Sequence, residues 1–291
     1  MSSPGFERVR ALAEAAETAD GVSPVDEQVL LRLKHDDDTG VRHVTHWADG
    51  ELVAYGHLDL TGSRSGEAVG KLVVHPAHRR HGLGRHLVQE MVVAAEPATL
   101  SLWSHGRHPA AVSLAASLGF TAVRELWKMQ RDLGEELGVP ALPPGVAVRG
   151  LQPGEEQALL EVNAAAFADH PEQGGLTLPG LRQRMAEPWF DPAGLFMAWK
   201  GSELLGFHWT KVHRGDAAVP FGEVYVVGVA PAAQGLGLGT ALTLVGLRHL
   251  RALRLPVARL YVEADNTAAV AVYHRLGFEH FDTDVLYRRT P

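Results

Sequence analysis

The sequence predicts an α/β fold of the α+β kind, built twice: two tandem domains, each a mixed, largely antiparallel sheet flanked by helices. Three observations predict it. The stretch "VHPAHRRHGLGRHL" beginning at Val74 is written again as "VAPAAQGLGLGTAL" beginning at Val229, and aligning Pro76 with Pro231 brings Gly82 onto Gly237 and Gly84 onto Gly239 without a gap. Further on, "SLWSHGRHPAAVSLAASLGF" ending at Phe120 matches "RLYVEADNTAAVAVYHRLGF" ending at Phe278, and the offset has grown by only three residues. Matched segments in the same order at nearly the same separation mark a duplicated domain. Between the copies lies "GEELGVPALPPGVAV", which reads as a linker from its proline and glycine content. A boundary near Pro140 to Gly145 divides the chain into residues 1–139 and 140–291.

Each half repeats one order of elements. A helix comes first, over Arg8 to Ala19 in one half and Pro153 to Ala168 in the other. The strands "ELVAYGHLDL" and "ELLGFHWTKV" alternate as half-buried antiparallel strands do. The strands "AVGKLVV" and "EVYVVGV" feed the glycine loops, and "GRHLVQEMVVAA" and "GTALTLVGLRHLRAL" follow them with apolar residues at helical spacing. A strand ("TLSLWS" or "ARLYVEA"), a short helix and a closing strand complete each copy.

Composition narrows the function. A length of 291 residues suits two ordinary domains. A formal net charge of -7 argues against broad affinity for nucleic acid. The absence of cysteine removes disulfides, thiolate metal sites and a cysteine nucleophile. The start "MSSPGFERVRALAEAAE" has no apolar core of a signal peptide, and no run is long enough to span a bilayer. The expectation is a cytoplasmic, monomeric protein acting on a small molecule, with neither nucleic acid nor membrane as partner.

A strand, a glycine-rich turn and a helix start together make an anion site, because the first helical N–H groups lack internal partners and lie at the positive end of the dipole. No G-K-[ST] follows, which disfavours a nucleoside-triphosphate loop, and the third glycine of a dinucleotide loop is missing. The spacing is Q/R-x-x-G-x-G, through Gln234, Gly237 and Gly239 and through Arg79, Gly82 and Gly84. With the downstream N-x-x-A-x-x-x-Y-x-x-x-G-F of Asn266, Ala269, Tyr273, Gly277 and Phe278, this resembles the GCN5-related N-acetyltransferase (GNAT) family. The resemblance implies acetyl-CoA as co-substrate and no metal. In that family the strand before the loop parts from its neighbour and the pantetheine arm pairs with it. The implied contacts are Val227, Gly228 and Val229, the loop Gln234, Gly235, Leu236, Gly237, Leu238, Gly239 and Thr240, and the helix from Asn266 through Ala269. In the first copy they are Leu72, Val73, Val74, Arg80, Gly82, Leu83, Gly84 and Arg85.

The two copies do not carry the same chemistry. Acetyl transfer to an amine needs the amine neutral, so a carboxylate entering the loop-feeding strand suits a general base. The second copy has Glu223 there; the first has Ala68, with Glu67 on the other face. The departing thiolate wants a hydrogen-bond donor. The second copy has Tyr273; the first has Ala115, and His108 replaces Asn266. The first copy is therefore expected to hold acetyl-CoA without catalysis, or to serve the architecture alone.

The stretches "FADHPEQGG", "EPWFDPAGLFMAW" and "LLGFHWTKVH" are more specific. They resemble tandem members that acetylate the cysteinyl amine of Cys-GlcN-inositol. That resemblance implies Glu27, Glu172, Lys211 and Glu223 as substrate contacts and Tyr261 as a lining residue. Another amine, on a peptide or an aminoglycoside, and an acyl-CoA sensor without turnover are the alternatives. The histidine pairs at 43 and 46, 78 and 81, and 105 and 108 match no metal pattern and are taken as surface or loop residues. Arg79, Arg80 and Arg85 form a basic cluster suited to a CoA phosphate.

Overall fold

The computed structural model describes residues 4–61, 66–168, 170, 173–214 and 219–289. In the first half, α1 (Phe6–Asp20) buries Val9, Leu12, Ala13 and Ala16, a stripe at helical spacing, and stops at Gly21 in the left-handed region (φ 76°). A second helix, α2 (Glu27–Lys34), starts where Asp26 accepts from the Val29 amide. The strands β1 (Val41–Ala48) and β2 (Glu51–Asp59) form a hairpin. Its turn residues Asp49 and Gly50 both have positive φ (52° and 83°), as a two-residue type I′ connection requires. Then come β3 (Glu67–Val74), α3 (Leu83–Ala95), β4 (Thr99–Ser104), α4 (Pro109–Ser117) and β5 (Phe120–Asp132).

The second half opens with an additional strand, β6 (Val146–Gly150), and then repeats this order: α5 (Glu156–Ala166), α6 (Leu178–Met185), β7 (Leu195–Lys200), β8 (Glu203–His213), β9 (Phe221–Val229), α7 (Leu238–Ala252), β10 (Val257–Glu263), α8 (Thr267–Arg275) and β11 (Glu279–Arg289). Even a local irregularity recurs: the first hairpin shifts register at His46/Trp47 and its counterpart at Ala198/Trp199. The expected α/β fold with two repeats is present. The short helices α2 and α6, which the sequence reading passed over, complete each copy.

The chain separates into two compact units, and they are not the two sequence halves. One holds Met1–Trp127 with Glu263–Asp265 and Asp282–Pro291; the other holds Lys128–Val262 with Asn266–Phe281. The division expected at 139/140 follows the repeat, whereas the closing strands are exchanged. In the first unit β4 pairs antiparallel with the chain's last strand, Val285 opposite Ser104 through Arg288 opposite Ser101. In the second unit the end of β5 is tied down by Leu133 N–H donating to Pro256 O (2.8 Å), by Arg259 Nε donating to Gln130 Oε1 (2.9 Å), and by Arg131 donating to Leu276 O.

The first unit's sheet runs β1-β2-β3-β4-β11 and the second's β5-β10-β9-β8-β7-β6. Only β3–β4 and β9–β10 among the described ladders are parallel. In the first unit Leu87, Val88 and Met91 of α3 pack with Ala54, Leu58, Ala68, Leu100 and Leu102, while Val9, Leu12, Ala16 and Val29 pack with Tyr55 and Val73. In the second, Leu159, Leu181, Phe207 and Trp209 make one cluster, and Ala198, Leu205, Leu238 and Leu242 another. Among the described residues no helix is long and apolar enough to cross a membrane.

Candidate active site

In the second unit β9 lies between β8 and β10, but only part of it is paired on both edges. The parallel ladder to β10 joins Gly222 with Ala258 and Glu223 with Arg259 and goes no further. Towards β8 the pairing continues to Val229 opposite Gly206, with a register shift at Trp209/Thr210. Val227, Gly228 and Val229 therefore keep one backbone edge without a β10 partner. Such an edge can accept an extended amide-bearing chain as an added strand. A side chain at Gly228 would meet the Phe207 ring at 2.5 Å, so the bare backbone lets the two strands close there.

Past β9 the chain makes a short 3-10 turn, Pro231–Ala233, and reaches Gln234 in extended conformation. Gly235 and Gly237 then sit at φ 78°, where a side chain is strained. Gly237 caps α7, and the first intrahelical bond runs from Ala241 N–H to Gly237 O (3.1 Å). The amides of Leu238, Gly239 and Thr240 precede that bond, so three N–H groups converge at the positive end of the helix. Leu238 buries its side chain and offers only backbone; Leu236 is exposed at the loop tip. This geometry fits a pyrophosphate.

Glu223 stands at the last rung of the ladder, where β9 and β10 cease to pair. It is only 8% exposed. Lys211 lies directly opposite it on β8, so both side chains share one face. The Lys211 ammonium is 4.4 Å from the Trp189 ring centre and 5.3 Å from that of Tyr225, a cation–π seat that holds a nearly buried charge. His213, two residues on, brings Nε2 to 2.6 Å from Glu223 Oε2 and stacks on Phe221 (4.2 Å between centroids, 9° between planes). An ionised carboxylate only accepts, so His213 Nε2–H donates. Arg259, beside Glu223 in the ladder, is spent elsewhere: over the rings of Phe221 (4.3 Å) and Phe281 (5.2 Å) and on Gln130 (2.9 Å). Sequence reading missed His213. Its signal was the two-residue spacing from Lys211 within one strand.

Tyr273 is half-buried on α8 with its ring 5.8 Å from Phe278, and its hydroxyl has no hydrogen-bond partner among the described residues. Burial pushes it up to about 12. Asn266 caps α8 by accepting from Ala269 N–H (3.1 Å), which fixes the start of that helix. Tyr261 on β10 is 47% exposed, under the Lys128 ammonium at 5.9 Å. Glu172 lies outside the described residues. Its neighbour Gln173 is held by the buried Asn163, through Asn163 Nδ2 donating to Gln173 O (2.8 Å) and Gln173 Nε2 donating to Asn163 Oδ1 (3.1 Å). Glu27 stands in the first turn of α2, in the other unit from Lys211, Glu223, Tyr261 and Tyr273.

The first unit keeps the loop and has neither chemical group. Gly82 caps α3 in the left-handed region (φ 85°), and Arg80, in the place of Gly235, is forced there too (φ 67°). Beyond Gly70, β3 continues through Leu72, Val73 and Val74 paired to β2 alone. The amides of Leu83, Gly84 and Arg85 open α3 ahead of its first bond, from His86 N–H to Gly82 O. Ala68 is buried and Ala115 packs beside the core. Glu67 has no freedom to act as a base. Burial would raise it, but the Ser101 hydroxyl and the Arg288 guanidinium (2.7 and 2.8 Å) outweigh that and hold it below the usual carboxylate range. The expected basic cluster loses Arg79, whose guanidinium makes a bidentate pair with Asp20 (2.7 Å twice); Arg85 donates to Ser117 Oγ (2.9 Å).

Of the histidines expected at the surface or in loops, His43 departs from that, lying buried within β1, whereas His105 is in the loop after β4. His43 is buried, bonded to Tyr55 Oη (2.9 Å) and Asp38 (2.9 Å). His105 Nδ1 contacts Asp284 at 3.0 Å. His46, His86 and Glu90 bring possible ligand atoms within 4.8 Å of one another. Contacts of both imidazoles with the one carboxylate, at 3.2 and 3.1 Å, account for that grouping.

A family model described as the acetyltransferase (GNAT) family matches residues 7–120 and 163–278, one match in each copy. The chain is 53% identical to a mycothiol acetyltransferase of Streptomyces avermitilis, over 98% of this chain and 92% of that protein. It is 50% identical to a mycothiol acetyltransferase of Thermobispora bispora, over 97% and 95% respectively. Among solved structures it resembles a GCN5-related N-acetyltransferase from Sphaerobacter thermophilus (TM-score 0.67, 25% identity, 99% of this chain and 94% of that one). It shares its fold with a tandem GNAT protein from the clavulanic acid biosynthesis pathway (TM-score 0.72, 21% identity, 100% and 98%).

Proposed function

From a chain that belongs to the acetyltransferase (GNAT) family, and within it with the mycothiol acetyltransferases, we propose a direct transfer of acetyl from acetyl-CoA to the cysteinyl amine of Cys-GlcN-inositol, the last step of mycothiol synthesis. The observation that carries the assignment of chemistry to the second unit is the place of Glu223. It is a nearly buried carboxylate on the rung where β9 and β10 stop pairing, and the residue aligned with it in the first copy is the apolar Ala68.

Pantetheine lies along the free edge of Val227 to Val229, and the pyrophosphate sits on the amides between Gly235 and Thr240. The α-ammonium of the substrate loses its proton to Glu223, directly or through water. An α-amino group titrates near ~8, so part of it is already neutral at physiological pH and the base has a modest task. The amine nitrogen attacks the thioester carbon, the C–S bond breaks and CoA leaves as a thiolate, which takes up the remaining surplus N–H proton, directly or through water, to leave the neutral amide and the CoA thiol. Tyr273 faces that sulfur as a hydrogen-bond donor. With its hydroxyl pushed up to about 12 and a thiol near ~8.5, full proton transfer from Tyr273 is uphill. Its part is to stabilise charge as it develops. Lys211 and Tyr261 of the second unit meet the hydroxyl-rich pseudo-disaccharide, which polar and charged anchors suit. The first unit carries out no chemistry, whether or not acetyl-CoA occupies its loop. The reaction is cytoplasmic.

The test is CoA release with acetyl-CoA and Cys-GlcN-inositol, beside GlcN-inositol and a peptide amine. Selective turnover of the cysteinyl compound is expected. Turnover of a different amine would keep the acetyltransferase and overturn the substrate.

A further inference from the structure

We infer that His213 is a positioning residue for the reaction: its imidazole clamps one oxygen of Glu223 and leaves the other to face the amine. The inference rests on Glu223 as the base.

Three observations carry it. The contact is short, 2.6 Å from His213 Nε2 to Glu223 Oε2, in the range of a charge-assisted bond. The imidazole is itself fixed, lying flat on Phe221 at 4.2 Å and 9°, and Phe221 is held from its other neighbours by the Arg259 guanidinium at 4.3 Å. And the positions are set by strand register rather than by a loop: His213 pairs with Phe221, Lys211 with Glu223, and Arg259 with Glu223. A carboxylate on a free side chain samples rotamers and offers either oxygen. One clamped at Oε2 presents Oε1 in a single orientation, and geometry is what makes a general base efficient.

Two substitutions test the clamp. His213→Gln replaces the imidazole N–H with an amide N–H donor. His213→Phe keeps a ring on Phe221 and removes the donor. We expect His213→Phe to lower kcat about tenfold, the worth of one such hydrogen bond, with KM for acetyl-CoA unchanged. We expect His213→Gln, which keeps an N–H donor, to restore kcat to within about threefold of wild type. Acetyl-CoA binding by each variant, measured by calorimetry, reports that the unit is folded. A His213→Phe enzyme with the wild-type kcat would overturn the clamp, and so would a His213→Gln enzyme no better than His213→Phe. Glu223→Gln, run alongside, keeps the two readings apart. If it retains turnover, the base itself is misassigned; if it loses turnover while His213→Phe does not, only the clamp is.

Discussion

Glu223 and Tyr273 act on opposite ends of the same event, and their substitutions should differ in kind. Glu223→Gln keeps the shape and removes the proton acceptor. A drop in kcat of about 10²–10⁴ is expected, partly recovered as the pH is raised and the amine loses its proton unaided. Tyr273→Phe removes a donor to the leaving sulfur. A drop of about 10–10² is expected, with the pH profile unmoved, because a hydroxyl raised to about 12 does not titrate in the working range. Steady-state kinetics from pH 6 to 9 checks both; a Tyr273→Phe profile shifted on its alkaline side would make Tyr273 a true acid. The residue types at these two positions were legible from the repeat, since Ala68 and Ala115 stand opposite them in the first copy. His213 was legible only as a strand neighbour of Lys211, two residues on. Its contact with Glu223 depends on which residue of β8 faces which of β9, and the shift at Trp209/Thr210 obscures that in the sequence.

At the scale of an element, the strand–loop–helix unit works by backbone, so its glycines can be tested without touching the chemistry. A β-branched residue at φ 78° costs about 1–2 kcal/mol. Gly237→Val should therefore displace the amides that open α7 and raise KM for acetyl-CoA about tenfold, with a smaller effect on kcat. Gly82→Val places the same strain in the first copy (φ 85°) and should leave both constants near wild type. Equal kinetic damage from the two would show that the first loop takes part in turnover. The glycine spacing made this element readable in advance, as did the alternation of β2 and β8 and the apolar periodicity of α3 and α7. The helices α2 and α6 were not readable, because eight residues give barely two turns of periodicity and their caps, Asp26 and Thr177, are common residues in loops. Nor were the exchanged closing strands. A repeat shows that two segments are alike, and says nothing about which copy of a strand completes which sheet.

For the whole molecule, acid stability and divisibility follow from the packing. His57 in the first unit and His208 in the second are each pushed down to about 4, chiefly by burial. His208 is neutral, with Nδ1–H donating to Leu242 O at 2.7 Å. In the unfolded chain a histidine titrates near ~6.5, so between that pH and about 4 the unfolded state binds protons that the folded state does not. These groups leave stability intact above ~6.5 and withdraw it as the pH falls, by up to about 1.4 kcal/mol per pH unit for each. Urea midpoints measured at pH 7 and pH 5 should fall in the wild type and fall less in His208→Gln; equal slopes would contradict the assignment. Divisibility is limited by the exchanged strands. A fragment of residues 140–291 loses the end of β5 and with it the bonds from Arg131 to Leu276 O and from Leu133 to Pro256 O, and should show no cooperative unfolding transition of its own. The same exchange sets an order for synthesis on the ribosome. Residues up to Trp127 emerge early, yet the edge of β4 stays bare until residues 282–289, which arrive last, can pair with it. At about 5–20 residues per second the first unit waits roughly ten to thirty seconds with an open strand edge. Folding of the nascent chain cannot proceed domain by domain from the start, and a stop codon before residue 282 leaves the first unit without the strand that pairs with β4.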